Sequence, residues 1–393
     1  MTLQTEDDSS LKRRLILRDS LTFLTLALIT VVLFFITFFL FRSFASHRQE
    51  LGQRWSARGQ AAISSGHPDQ AIVAIRTALS YVPGQRSYEL LLAQALGDAG
   101  HTEESYNYFL GLWETEPGNG FINLRLARLA AKKNDTQAAI NYYRASIYST
   151  WEGDGILRRR DVRLELAQYL IAQQELSNAR TELLIAGGNA PDDVPLSLTI
   201  AQLLEQANAP HDALNYYRKV LAQDPKNNTA LESAARLEYD SGRFDEAHRL
   251  IEQVMHEREA ATNQQTITPS DKDMLDNSTR ILALAPLKKL PNNERVARIL
   301  QARALAKKRF DACSTQVSTL NGLPTPLQDL TKNWASKDAT SNRAALLNDP
   351  AHQDATMQLV FDTETQTSKI CGAPTGDDAL LLQLAKFPKA MEP

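Results

Sequence analysis

Between residues 52 and 259 small side chains return at a fixed interval, and this recurrence constrains the fold more tightly than any other feature of the chain. Units begin at Gly52, Arg86, Gly120, Arg160, Val194 and Asn228, 34 residues apart except for the step from Gly120 to Arg160, which is six longer. That interval is the length of one helix-turn-helix stacked on the next. The eighth position of the unit reads Gly59, Ala93, Ala127, Ala167, Ala201 and Ala235, and the twentieth reads Ala71, Ser105, Ala139, Ala179, Ala213 and Ala247. Small residues are required where the two helices of a unit cross closely, since a larger side chain there would overpack the crossing by roughly 1–3 kcal/mol. The twenty-fourth position holds the large partners, Ile75, Phe109, Tyr143, Leu183, Tyr217 and Ile251. Pro83, Pro117, Pro191 and Pro225 stand at the thirty-second, where proline stops the second helix.

The pattern resembles the tetratricopeptide-repeat (TPR) family, most fully in the first unit through Trp55, Gly59, Ala71, Ala78 and Pro83. The resemblance covers residues 52 to 259 and implies an all-α helix-turn-helix solenoid of six repeats, in two blocks of three. Three residues depart from it: Trp151 and Glu259 replace prolines, and Glu238 sits where an apolar residue is usual. The extra residues of the long step, near Glu152 to Gly155, are expected to lengthen the loop between repeats three and four.

The family also implies a binding surface, since its concave face is lined by the first helix of each repeat. Position nine reads Gln60, Gln94, Arg128, Gln168, Gln202 and Arg236, a polar column of long hydrogen-bonding side chains. Position five beside it carries Leu90, Leu124, Leu164 and Leu198 in the middle four units, flanked by Ser56 and Glu232. Together these imply a groove for an extended or helical peptide, with the glutamines on its main chain and the leucines on its side chains. The alternative is that they are ordinary solvated and inter-repeat packing positions. Arg125, Arg128, Lys132 and Lys133, near Arg158, Arg159, Arg160 and Arg163, form a basic cluster suited to a solvated face, an acidic partner or a lipid headgroup. Ser56 and Gln60 occupy the places where some relatives clamp a peptide carboxylate, so chaperone-tail binding is not expected.

Ahead of the repeats, Leu21 to Phe41 consists only of Leu, Ile, Val, Phe, Ala and Thr. At ~1.5 Å per residue this run matches the ~30 Å hydrocarbon core, which reads as a transmembrane helix and makes the lipid bilayer a partner through residues 21–41. A cleaved signal peptide is the rival reading, with Lys12, Arg13 and Arg14 as its basic start and Ser43-Phe44-Ala45 as a loose cleavage site. The run exceeds the roughly 7–15 apolar residues of such peptides, and Arg42 fits the site poorly. Lys12, Arg13, Arg14 and Arg18 before the run balance Arg42, Arg48, Arg54 and Arg58 after it, but they lie more densely near the membrane. Long downstream domains cross largely regardless of charge, so residues 1–20 are expected in the cytoplasm and the bulk in the periplasm of a bacterial inner membrane.

Past Glu259 the period disappears, and Asn263 to Asn277 reads as a polar connector. Helical patterns return at Glu294 to Lys308, Thr325 to Ser336, Asp354 to Thr365 and Asp377 to Phe387, making 260–393 an expected helical cap, with a separate functional domain as the alternative. Cys313 and Cys371 fall in it; an oxidising compartment would let them pair, and two independent buried thiols are the other reading.

Chemistry-bearing motifs are missing from the sequence. It has no phosphate loop, HExxH pair, nucleophile elbow or dinucleotide fingerprint, and its seven histidines lack ligand spacing, so neither a metal nor a small-molecule cofactor is expected. A net charge of -3, without long runs of one sign, argues against a nucleic-acid partner. The expected role is therefore a non-enzymatic scaffold or chaperone-like adaptor for envelope proteins. An enzyme with its site in 260–393, or a component of a polysaccharide-assembly machine, are the alternatives.

Overall fold

The computed structural model describes residues 5–188, 193–260, 268–318, 322–338 and 342–388, and they divide into two compact units, Met1–Leu166 and Ala167–Pro393. Helices α1 (Thr5–Ser64), α2 (Pro68–Tyr81), α3 (Arg86–Asp98), α4 (Thr102–Thr115), α5 (Gly120–Lys132) and α6 (Thr136–Tyr148) precede α7 (Gly155–Ala172), in which the first unit ends. The second unit continues through α8 (Leu176–Gly188), α9 (Val194–Gln206), α10 (Pro210–Gln223), α11 (Asn228–Asp240) and α12 (Phe244–Ala260). It closes with α13 (Pro269–Leu284), α14 (Asn292–Val317), α15 (Thr325–Asp338), α16 (Arg343–Asn348), α17 (Pro350–Cys371) and α18 (Asp377–Lys386). No strand occurs among the described residues; the fold is all-α.

Four first helices, α3, α5, α9 and α11, begin on the residue that starts the sequence unit. The small residues at positions eight and twenty are buried in all six repeats, as are the large ones at twenty-four. Gly59 illustrates the constraint: a Cβ there would lie 2.4 Å from Ile75 Cγ1, so the two helices of repeat one approach as closely as they do only because position eight is bare.

The turn between the two helices is a recurring local device that the spacing of small residues does not report. Position fifteen of every repeat has positive φ: Gly66 at 74°, Gly100 at 86°, Asn134 at 60°, Gln174 at 62°, Asn208 at 54° and Gly242 at 82°. The following N–H then bonds the carbonyl five residues back, from His67 to Ala62 through Arg243 to Glu238, at 2.9–3.0 Å. This is the Schellman closure of a helix end, which glycine or asparagine adopts with least strain.

Helix stops follow the prolines. After α2, α4 and α10 come Pro83, Pro117 and Pro225, each two residues beyond the last helical one, while Pro191 lies outside the described residues. Glu259, in place of proline, lets α12 run on to Ala260. The long step resolves only in part as the expected loop, which spans residues 149–154. Helix α7 starts at Gly155, five residues before the unit boundary at Arg160, so most of the insertion becomes helix, capped by the Asp154 carboxylate on the N–H groups of Ile156 and Leu157 at 3.1 Å. Trp151 lies over Gly120, where a Cβ would sit 2.4 Å from its ring, and donates its indole N–H to Ser146 O at 2.9 Å.

Residues 5–20, read from sequence as a tail, join the apolar run and the first helix of repeat one in the single 60-residue helix α1. The segment is long and apolar enough to cross a membrane. Arg48 in α1 ties it to repeat one by donating to Tyr81 O from Nε at 3.0 Å and Nη2 at 2.6 Å.

In the second unit the connector expected up to Asn277 is helical from Pro269. Thr268 and Asp271 form a reciprocal capping box there, and a local polar composition conceals such a start until the pairing is seen. Half-buried Arg258 pairs with both Glu232 and Asp271, joining α11, α12 and α13. Phe244 of repeat six belongs to the core shared by Ile281, Val296, Phe310, Trp334, Val360 and Leu384. Cys313 and Cys371 are bonded across α14 and α17, their Cα atoms 5.7 Å apart.

Candidate functional site

Within the first unit, three successive first helices and one connector enclose a groove of about 740 Å³. Leu90 from α3, Phe121 and Leu124 from α5 and Val162 from α7 supply its apolar lining, and Trp151 closes the connector side. Arg128, Arg158, Asp161 and Glu165 supply the charge. The insertion builds this site, since Trp151, Glu152 and Arg158 all come from the residues around it.

Arg128 and Glu165 are joined by two hydrogen bonds, Nε to Oε1 at 2.7 Å and Nη2 to Oε2 at 2.6 Å. Tyr143, at position twenty-four, donates its hydroxyl to Glu165 Oε1 at 2.8 Å. Burial by itself would raise the Glu165 carboxyl, but the bonds from Arg128 and Tyr143 prevail and hold it below the usual range. A like arrangement stands in the second unit, where Arg236 pairs with Glu205 and the Tyr217 hydroxyl donates to Glu205 Oε1 at 2.6 Å. Both arginines of the position-nine column are therefore committed within the molecule. Tyrosine, in place of an all-carbon side chain at position twenty-four, was the available sequence signal.

The groove gathers Leu90, Leu124 and Arg128 from the expected surface. Gln60 is exposed and Gln94 half-buried in the first unit outside its lining, and half-buried Leu164 on α7 does not line it either. Gln168, Gln202 and half-buried Leu198 belong to the second unit, the two glutamines exposed. The basic cluster is largely neutralised by its neighbours. Arg125 faces Asp98 at 3.5 Å, Lys133 faces Glu103 at 2.9 Å, and Arg160 faces Asp161 at 3.1 Å. Arg159 donates to Ser149 O at 3.3 Å, and Arg163 lies over the Tyr148 ring at 5.7 Å.

Among the described residues, no three or more His, Cys, Asp or Glu side chains are grouped to hold a metal ion. Glu238, the acid at an apolar position, is fully buried in the second unit and paired with Arg218 at 2.6 Å and with Arg243. A cleft of about 480 Å³ in the same unit is lined by Ile299, Met357 and Phe361 with Lys288, Arg295 and Asp354.

Family models of the tetratricopeptide repeat match residues 204–265 and 122–150. These two stretches carry tetratricopeptide repeats. Among solved TPR structures, it is similar to pilF of Pseudomonas aeruginosa at 16% identity, over 56% of this chain and 97% of that one, with a TM-score of 0.38. It is similar to YrrB, a TPR protein with an unusual peptide-binding site, at 14% identity over 47% and 93% of the two chains, with a TM-score of 0.37. The C-terminal part of a TPR protein from Cytophaga hutchinsonii aligns at 12% identity over 61% and 91%, with a TM-score of 0.43. No curated protein matches the TPR chain in sequence.

Proposed function

We propose that this chain is a membrane-anchored scaffold or chaperone-like adaptor that binds an extended segment of another envelope protein in the groove between α3, α5 and α7. The observation that carries the reading is the groove itself: a leucine and aromatic lining beside a charged wall already paired internally. Because Arg128 and Glu165 satisfy each other, their part of the wall presents no unpaired charge, and binding gains come there from burying apolar side chains against Leu90, Phe121 and Leu124. Arg158, exposed at the rim, is available to an acidic residue of the partner. The bilayer is the second partner. Residues 21–41 would span it, and helical continuity would put repeat one about 16 Å beyond the apolar run, counting 11 residues from Phe41 to Gly52 at ~1.5 Å each. The dense basic group before the run supports an N-terminus in the cytoplasm and the repeats in the periplasm.

A photo-crosslinking side chain introduced at Phe121 in intact cells should capture one protein that the same probe at exposed Val73 does not. Trp151→Ala should lower that capture about tenfold. Equal capture from both positions would sink the groove as the binding site. A reporter fused after Pro393 should be active outside the cytoplasm; activity confined to the cytoplasm would reverse the topology.

A further inference from the structure

Where α14, α17 and α18 meet, three buried carboxyl oxygens lack a hydrogen-bond partner: both oxygens of Glu364 and Oδ1 of Asp378. The Glu364 side chain is 0% exposed. Arg309 on α14 approaches, with Nε 3.4 Å from Glu364 Oε2, but its hydrogen bonds go elsewhere, from Nε to Thr367 Oγ1 at 3.0 Å and from Nη2 to Gly372 O at 2.8 Å. The charges acting on the two carboxyls are those of Arg309 and Lys308 from α14 and of Asp377 from α18. Asp377 is itself turned to Arg280 on α13 at 2.7 Å. From α15 the neighbouring group is the uncharged Trp334 indole, which donates to Thr363 at 3.1 Å.

Glu364 is out of water and Asp378 half-buried, and one guanidinium cannot neutralise both carboxylates there. With both ionised the site holds an uncompensated buried negative charge, and with one proton on the pair it is neutral. Burial, reinforced by Asp378, pushes the Glu364 carboxyl up to about 8; Asp378 is raised as well, chiefly by burial.

The site lies under a helix joined to α17 through two glycines. Helix α18 follows α17 through Gly372 to Gly376, and both of these glycines have positive φ, at 91° and 62°. The Cys313–Cys371 bond pins the α17 side of this connector. Beyond it, α18 buries Leu380, Leu381 and Leu384, its Gln383 accepts from the Tyr239 hydroxyl at 3.1 Å, and Phe387 packs 6.2 Å from the Phe244 ring of repeat six.

We propose that α18 is a proton-held latch: a proton shared by Glu364 and Asp378 keeps it closed over the sixth repeat, and passing that proton to solvent releases it. Opening would uncover the apolar core around Phe244, Ile281 and Leu284. The sign follows from the raised proton affinity in the closed state: closure is strongest below the ordinary carboxyl range and weakens as pH rises towards about 8.

Hydrogen exchange of the full chain in nanodiscs, without reductant and corrected for the intrinsic base-catalysed rate, tests this. Protection of the Leu380 to Leu384 amides in the wild type should fall at least about tenfold between about pH 6 and about pH 9. In Glu364→Gln, where a neutral side chain of the same shape replaces the acid, protection should stay level. Asp378→Asn removes the second carboxyl but leaves Glu364 buried, so its protection should fall less, and at lower pH, than in the wild type, which decides the matter if the first variant does not fold. A wild type with level protection, or variants that lose protection in step with it, would overturn the latch.

Discussion

Arg128 on α5 and Glu165 on α7 share two hydrogen bonds across 37 positions of sequence, 2.7 and 2.6 Å long, in the wall of the groove. The pair holds two adjacent first helices at a set spacing, and Tyr143 joins it from the second helix of repeat three. Its electrostatics give a signed expectation. The Glu165 carboxyl is depressed below its ordinary value, so the stabilisation it provides is present above pH 4.5 and is lost as pH falls through the lower folded value. Melting curves at successively lower pH should show the wild type losing its advantage over Glu165→Gln in that acid range. A constant difference between the two would show that the pair contributes no linked stability.

Gln174 is the one residue other than glycine or asparagine among the six position-fifteen turns, and it holds φ of 62°. An L residue with a branched or long side chain pays ~1 kcal/mol or more in this region. Gln174→Gly should therefore stabilise the chain by about 0.5–1 kcal/mol in urea unfolding, less than the full strain because glycine also loosens the unfolded state. A loss of stability would show that Gln174 makes a compensating contact.

Gly59 faces Ile75 with no space for a methyl group. Gly59→Ala should destabilise by ~1–3 kcal/mol. Ile75→Ala removes the opposing atoms, so the double variant should be less destabilised than the sum of the two single ones. A double-mutant cycle measures this, and additivity would count against the contact.

The Cys313–Cys371 bond closes a loop of 58 residues. In the chain-entropy account, preventing it by Cys313→Ser with Cys371→Ser should cost about 4 kcal/mol. The expected sign in a thermal melt is a lower midpoint for the double serine variant, and a similar drop for the wild type in reductant. Identical midpoints with and without reductant would mean that the bond adds nothing.

Much of the repeat array was legible because its signals are local. Positions eight, twenty and twenty-four report a helix crossing inside one repeat, and all eighteen are buried as their sizes require. The helix stops at Pro83, Pro117 and Pro225 are equally local, because proline acts on its own turn of backbone. The insertion divides between loop and helix: Glu152 to Asp154 lie in a lengthened loop, as their composition predicts, but the Asp154 cap starts a helix on Gly155 that runs through Arg160. The expected connector is helical from Pro269, with 263–267 outside the described residues, because Thr268 and Asp271 signal a helix only as a pair.

The site was less legible. Leu90, Leu124 and Arg128 lie in the groove, but Trp151, Phe121, Val162 and Glu165 complete it, and none of them shares the column's spacing. The sequence alone determined the period, the crossings, the apolar helix and the all-α class, since each depends on residues within about one repeat of one another. Tertiary structure decided that the column's two arginines are bound to Glu165 and Glu205, and that buried Glu364 and half-buried Asp378 stand beside one arginine. Whether a charge is free or spent depends on which side chains meet when helices pack, and no short-range pattern encodes that.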